Sequence, residues 1–339
     1  DFEASLAVNG RNADSWSNLG LLWQARGDVA RAHECFTTAI GLSPNGALYV
    51  KNRADLLMRE ERAEEALPDI EMALRLAPAD FEAHLIAGQV LMGVGKSAEA
   101  IKEFKEAIRL NPRSGAAYWN LATAYAVKMD IQSVMFAIKN LERGMLVDPR
   151  DGRTRTMFEF SQWLKSSGFQ LLMTPTDGGT PRQKAVAKLR ADLPKLIDRL
   201  SRSRLPAQAV QYVDGVIGMD PEFADGYLIR GICWALANEY DRALPDLERA
   251  LALNAKMHPA RGMIASVALM RQDRKAAIAA YDGILALEDA PPFYRFLRGV
   301  ARLDDGDRKG AVEDFTSLKD AASEWPAGVL DDWIAEASE

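Results

Sequence analysis

The chain has 339 residues, 27% charged and 48% hydrophobic, with a formal net charge of −6 at neutral pH. That acidity favours solubility and argues against a mainly nucleic-acid partner. No apolar run approaches the ~20 residues that span a bilayer, and two cysteines, Cys35 and Cys233, fix no redox compartment.

An alanine recurs at a fixed interval. Ala32, Ala66 and Ala100 are 34 residues apart, as are Ala209, Ala243, Ala277 and Ala311. A period of this size marks stacked repeats, each contacting its neighbours. In chain order, Phe2 and Leu6 fall one period before Phe36 and Ile40. Residues 1–12 are therefore expected to be the second half of a truncated preceding repeat. The absence of an initiator Met suggests a natural protein that extends further, so localisation is not legible here.

The first full unit runs from Ala13 through Trp16, Leu19, Gly20, Trp23, Gly27, Ala32, Phe36 and Ala39 to Pro44. The second carries Ala54, Leu57, Ala66, Ile70, Ala73 and Pro78, and the third Gly88, Leu91, Gly95, Ala100, Phe104, Ala107 and Pro112. Later units keep Tyr227, Gly231, Trp234, Ala243, Leu247 and Ala250, then Gly299, Ala311 and Phe315. Small residues let two helices touch, and large ones fill the space between neighbouring hairpins. Gly-Asp marks inner turns and Pro the turns between units. Pro68 and Pro245 look like breakers near the start of second helices, where a missing N–H costs little.

The order W-x2-L-G-x2-Y, A-x3-F, P resembles the tetratricopeptide repeat (TPR). The resemblance covers most of the chain and implies an all-α superhelical solenoid of stacked antiparallel helix pairs, roughly eight to nine repeats with one degenerate. In such a stack Cys35 and Cys233 lie several repeats apart, which opposes a disulfide between them.

The fourth unit, from Gly115, slips register: Ala137 is 37 residues after Ala100, so about one helical turn is inserted near Lys128–Ser133. From Ala137 to Ala209 is 72 residues, leaving room for one chemically poor repeat. Arg153–Lys165 reads as a helix carrying Phe158 and Trp163. Ser166–Arg182 holds two prolines and three glycines, so a regular helix is not expected there. Its apolar residues Phe169, Leu171, Leu172 and Met173 suggest a strap across the groove or a hinge. The expected organisation is thus a first array at 13–165, an irregular segment at 166–182, a second array at 183–325 and a capping helix at 326–339. In Lys184–Arg204, Leu189, Leu193, Leu196, Ile197 and Leu200 oppose a basic face of Lys184, Lys188, Lys195, Arg199 and Arg202. Pro194 leaves a kinked helix or two short ones open.

Motifs of chemistry are missing. There is no P-loop, nucleophile elbow or HExxH, and His33, His84 and His258 fall in different repeats. His84 takes the slot of Trp16 and reads as a packed core residue. Asp177-Gly178-Gly179 reads as a turn, and Asp304, Asp305 and Asp307 lack calcium-loop spacing. Neither cofactor nor metal is expected, and the chain reads as non-catalytic.

The resemblance implies that the first helices line a concave groove. In the first array this would present Ser17, Leu21, Lys51, Asp55, Arg59, Glu82, Gln89, Trp119 and Thr123. In the second it would present Asp198, Arg202, Leu228, Ile232, Leu236, Ser266, Met270, Phe293, Phe296, Val300 and Leu303. Trp119, Phe293 and Phe296 are the aromatic anchor candidates. Covering of the apolar positions by the C-terminal helix, by the Phe169–Met173 loop or by a further domain is the alternative. Some family members grip a chaperone C-terminus with Lys and Asn. Lys51 and Asn52 fit that pattern, but Asp55 replaces an Asn, and Glu82 and Ile86 replace basic residues, so a chaperone tail is not expected.

The function expected is a non-catalytic protein–protein scaffold or adaptor that holds a partner's peptide or helix in the groove. The alternative is a regulatory or targeting TPR region of a larger enzyme. A nucleic-acid-binding repeat is opposed by the acidity. The basic segment Arg182–Arg204, with eight Lys or Arg against two Asp, could meet an acidic partner or the acidic C-terminal third of a second copy, giving a homo-oligomer.

Overall fold

A computed structural model describes residues 10–128, 130–168, 170–171, 174–176, 179–201, 206–319 and 328–339. Most of the half-repeat expected at 1–12 falls outside the described residues, as do Phe169, Leu172, Met173 and Arg202. Among the described residues there are helices and no strand, and the fold is a helical-repeat solenoid.

Local chemistry sets the helix ends. Asn12 accepts a hydrogen bond from the Ser15 N–H, Asp28 from Arg31, and Asp80 from both Glu82 and Ala83, each capping a helix start. The turn inside a hairpin needs a left-handed residue. Gly27, Gly95 and Gly306 supply it with φ of 80°, 79° and 90°.

Contacts divide the chain into two compact units, Asp1–Pro112 and Arg113–Glu339. The described residues of the segment 166–182, expected as the divide, fall in the second. In the first unit, α1 (Ala13–Ala25) pairs with α2 (Val29–Leu42), α3 (Ala47–Arg59) with α4 (Ala63–Leu76), and α5 (Phe81–Gly93) with α6 (Ser97–Leu110). First helices of neighbouring hairpins also touch, α1 with α3 and α3 with α5. The repeated glycine has a steric cause: a Cβ on Gly20 would lie 2.6 Å from the Phe36 ring, and one on Gly88 2.3 Å from the Phe104 ring. Phe104 is fully buried. Gly88→Ala is therefore expected to destabilise the first unit by about 1–3 kcal/mol through overpacking, read as a lower urea midpoint by circular dichroism. An unchanged midpoint would show that the helices can separate freely.

The second unit holds α7 (Gly115–Ala126), α8 (Ile131–Val147), α9 (Gly152–Trp163), a π-helical turn (Leu164–Gly168), α10 (Pro181–Ser201) and α11 (Pro206–Met219). It continues with α12 (Ala224–Leu236), α13 (Tyr240–Leu253), α14 (His258–Met270), α15 (Arg274–Leu285), α16 (Phe293–Asp305), α17 (Arg308–Thr316) and α18 (Val329–Ser338). The inserted turn appears as length: α8 has 17 residues where α2, α4 and α6 have 14. Pro194 neither splits nor ends α10, and Pro68 and Pro245 likewise sit inside continuous helices.

A second repeated device accompanies the small-and-large pattern. Arg53 reaches Asp69, Arg230 reaches Asp246 and Arg298 reaches Asp314, each through two hydrogen bonds and each 16 residues apart. The three aspartates are buried, so each pair staples the first helix of its hairpin to the second.

Candidate functional site

The predicted groove residues behave differently in the two units. In the first, polar side chains form links between consecutive first helices. Asn52 on α3 donates to Ser17 on α1 at 3.0 Å, and Gln24 on α1 donates to Asp55 on α3 at 3.1 Å. Arg59 also binds Asp55, at 2.7 Å. Asp55 and Gln89 are half-buried, while Arg59, Glu82 and Leu21 are exposed.

Lys51 is 7% exposed, and its ammonium donates to Asp80 and Glu82 at 2.8 Å each. Burial alone would lower its pKa, but the bonds to the two carboxylates outweigh that and hold it above its ordinary value. Burial likewise works to raise the Asp80 carboxyl, yet the Lys51 bond and the N–H groups of Ala83 and Glu82 keep it low. The Lys51 charge is thus matched from within the chain, which removes it as the cation of a carboxylate clamp.

In the second unit most predicted contact residues are interior. Trp119, Thr123, Leu228, Ile232, Phe293, Phe296 and Val300 are all buried, and Leu236 is half-buried. The physical reason is α9. This helix lies against the first helices α7, α12 and α14, besides α8, and every residue from Thr154 to Trp163 is buried. Its Phe158 ring meets Phe293 with centroids 4.5 Å apart, and Arg153 stacks over Trp119 at 4.3 Å. The Trp163 indole N–H donates to Asp225 at 2.7 Å, and Tyr294 donates to Glu159 at 2.7 Å. A Cβ on Gly262 would sit 2.3 Å from the Glu159 carboxylate, so α14 needs glycine there. The C-terminal helix closes the far side, with Phe296 and Trp333 ring centroids 5.8 Å apart. Trp119, Phe293 and Phe296, expected as anchors for a partner, are instead buried core residues of this unit.

The basic helix is also partly satisfied internally. Ala185, Val186, Leu189, Leu193, Leu196 and Ile197 form its buried side. Lys188 and Lys195 share Asp192, at 2.8 and 3.5 Å, and Arg199 donates to Gln208 at 3.1 Å. Lys184 is exposed. The acidic residues Asp304, Asp307 and Asp314 bind Arg150, Arg302 and Arg298 respectively. Such pairing weakens the case for attraction between a basic and an acidic face of two copies.

His84 is buried, its ring nitrogens 2.7 Å from Glu103 and 3.0 Å from the Pro78 carbonyl. Among the described residues no cluster of three His, Cys, Asp or Glu is placed to hold a metal. No described helix is long and apolar enough to cross a membrane.

Helical hairpins stacked through small residues at a recurrent period define a helical-repeat protein of the interaction-scaffold class. The tetratricopeptide repeat family matches residues 19–81, 51–92, 85–130 and 195–260, together more than half of the chain. The chain belongs to that family, whose members are generally non-catalytic. It is similar to DnaJ homolog subfamily C member 7 of Mus musculus, 32% identical over 117 residues, which are 34% of this chain and 24% of the relative. It is also similar to tetratricopeptide repeat protein 8 of Homo sapiens, 40% identical over 81 residues, 24% of this chain and 15% of the relative. The chain thus spans a quarter or less of the length of these relatives. Among solved structures, a tetratricopeptide repeat protein from Parabacteroides merdae is 13% identical with a TM-score of 0.38, covering 96% of this chain and 99% of that one.

Proposed function

We propose that this scaffold is non-catalytic and engages a partner peptide or helix through the first unit, along the side formed by α1, α3 and α5. The observation that carries the reading is the contrast in accessibility. Leu21 is 43% exposed and Arg59 is exposed, with Asp55 and Gln89 half-buried, whereas most of the corresponding residues of the second unit are buried. An apolar anchor at Leu21 flanked by the Asp55–Arg59 pair suits a mixed ligand, with the apolar group supplying affinity and charge setting orientation. Glu82 and the neutralised Lys51 disfavour a free carboxylate, so a chaperone C-terminal tail is not the ligand proposed.

The test is selection of binders from a displayed random-peptide library on the whole chain, followed by fluorescence anisotropy on the selected peptides. Leu21→Asp and Arg59→Glu are each expected to weaken binding at least tenfold, about 1.4 kcal/mol, with circular dichroism unchanged. Full-strength binding by both folded variants would overturn the reading.

A further inference from the structure

In the second unit a cavity of about 330 Å³ lies beside the start of α9, lined by Arg150, Arg155, Leu269, Gln272, Arg274 and Asp304. Three of the six carry positive charge and one negative. The negative charge is already used: Asp304 accepts from Arg150 at 2.9 Å, and Arg150 also donates to Glu336 at 2.8 Å.

Arg155 is different. It is 7% exposed, its Nη1 donates to the Pro149 carbonyl at 2.8 Å, and its Nε–H is buried without an acceptor. Tyr281, Asp151, Asp304 and Asp148 lie within electrostatic reach, but Asp151 accepts from the Thr154 N–H and Asp304 from Arg150. Burial outweighs these groups and lowers the guanidinium's pKa, and the Nε–H is left without a hydrogen-bond acceptor. A buried charge is stable when paired and hydrogen-bonded, and costly otherwise. A guanidinium offers planar paired donors that suit an oxyanion. Arg274, exposed at the start of α15, adds a second cation at the cavity wall.

We propose that this cavity is a binding site for a small organic anion, whose phosphate or carboxylate group is held by Arg155 and Arg274. Arg150 serves as a fixed wall, tied to Asp304 and Glu336. The volume lies at the lower end of small-molecule sites, leaving room beside the oxyanion for a short carbon skeleton against Leu269. This site is independent of peptide binding by the first unit.

The experiment is isothermal titration calorimetry on the whole chain at low ionic strength with inorganic phosphate, glycerol 3-phosphate and succinate, alongside melting curves referenced to sodium chloride of equal ionic strength. At least one probe is expected to bind saturably and to raise the melting temperature above the chloride reference. Arg155→Met and Arg274→Ala are each expected to weaken that binding at least tenfold. Response to glycerol 3-phosphate alone would identify a phosphomonoester as the ligand class, and response to succinate alone a carboxylate. If Arg155→Met does not fold, the exposed Arg274→Ala decides. Failure of all three probes to exceed the chloride reference would overturn the proposal, and so would undiminished binding by the folded variants.

Discussion

Replacing Phe158 by alanine is expected to destabilise the second unit by about 3–5 kcal/mol, the range for truncating a fully buried aromatic. Phe158 has no exposed surface. Its ring meets Phe293 at 4.5 Å and Tyr294 at 6.3 Å between centroids. Deleting it removes apolar burial and leaves a void between α9 and α16 that rigid helical neighbours fill poorly. Repeat arrays need not unfold in one step, so the change should appear as a lower midpoint for part of the denaturation curve followed by circular dichroism. A loss below about 1 kcal/mol would instead mean that α9 is dispensable to the packing around it.

Glu159→Gln is expected to change how stability varies with pH. Glu159 is fully buried, and loss of hydration raises its pKa well above the ordinary 4.5, with the Tyr294 hydrogen bond opposing in part. From 4.5 up to its own higher value, the folded chain keeps this proton while the unfolded chain releases it. Raising the pH through that window therefore favours unfolding, by about 1.4 kcal/mol per pH unit for this one group. The glutamine variant lacks the proton and should lose that slope, gaining on the native chain progressively above pH 4.5. Asp148, also raised by burial and then by Asp151, acts in the same direction in both proteins. Urea midpoints from pH 5 to 8 test this. Parallel curves for the two proteins would show that Glu159 is ionised in the folded chain.

The repeat was legible because its chemistry is local and recurrent. Ala32, Phe36 and Gly20 return as Ala100, Phe104 and Gly88 because the same close helix contact recurs each time. The role of α9 was not. Thr154, Arg155, Thr156, Glu159, Ser161 and Gln162 are all buried, so no polar face marks a solvent side and no apolar stripe marks a core side. The groups that satisfy α9 are remote: Asp225 is 62 residues from Trp163 and Tyr294 is 135 from Glu159. For the same reason Trp119 and Phe296 read as anchors, since the elements that cover them come from outside their own repeat. The Arg–Asp staples did leave a signal. Ala-Leu-Pro-Asp at 66–69 and again at 243–246 places its aspartate 16 residues after an arginine in both cases.

The tether on α9 has a competitive consequence. A helix joined covalently to the surface it covers acts as a ligand at an effective concentration of at least the order of a millimolar. An external helix present at about a micromolar would need roughly thousandfold higher intrinsic affinity to displace it. The second unit is therefore shielded against casual capture of amphipathic segments.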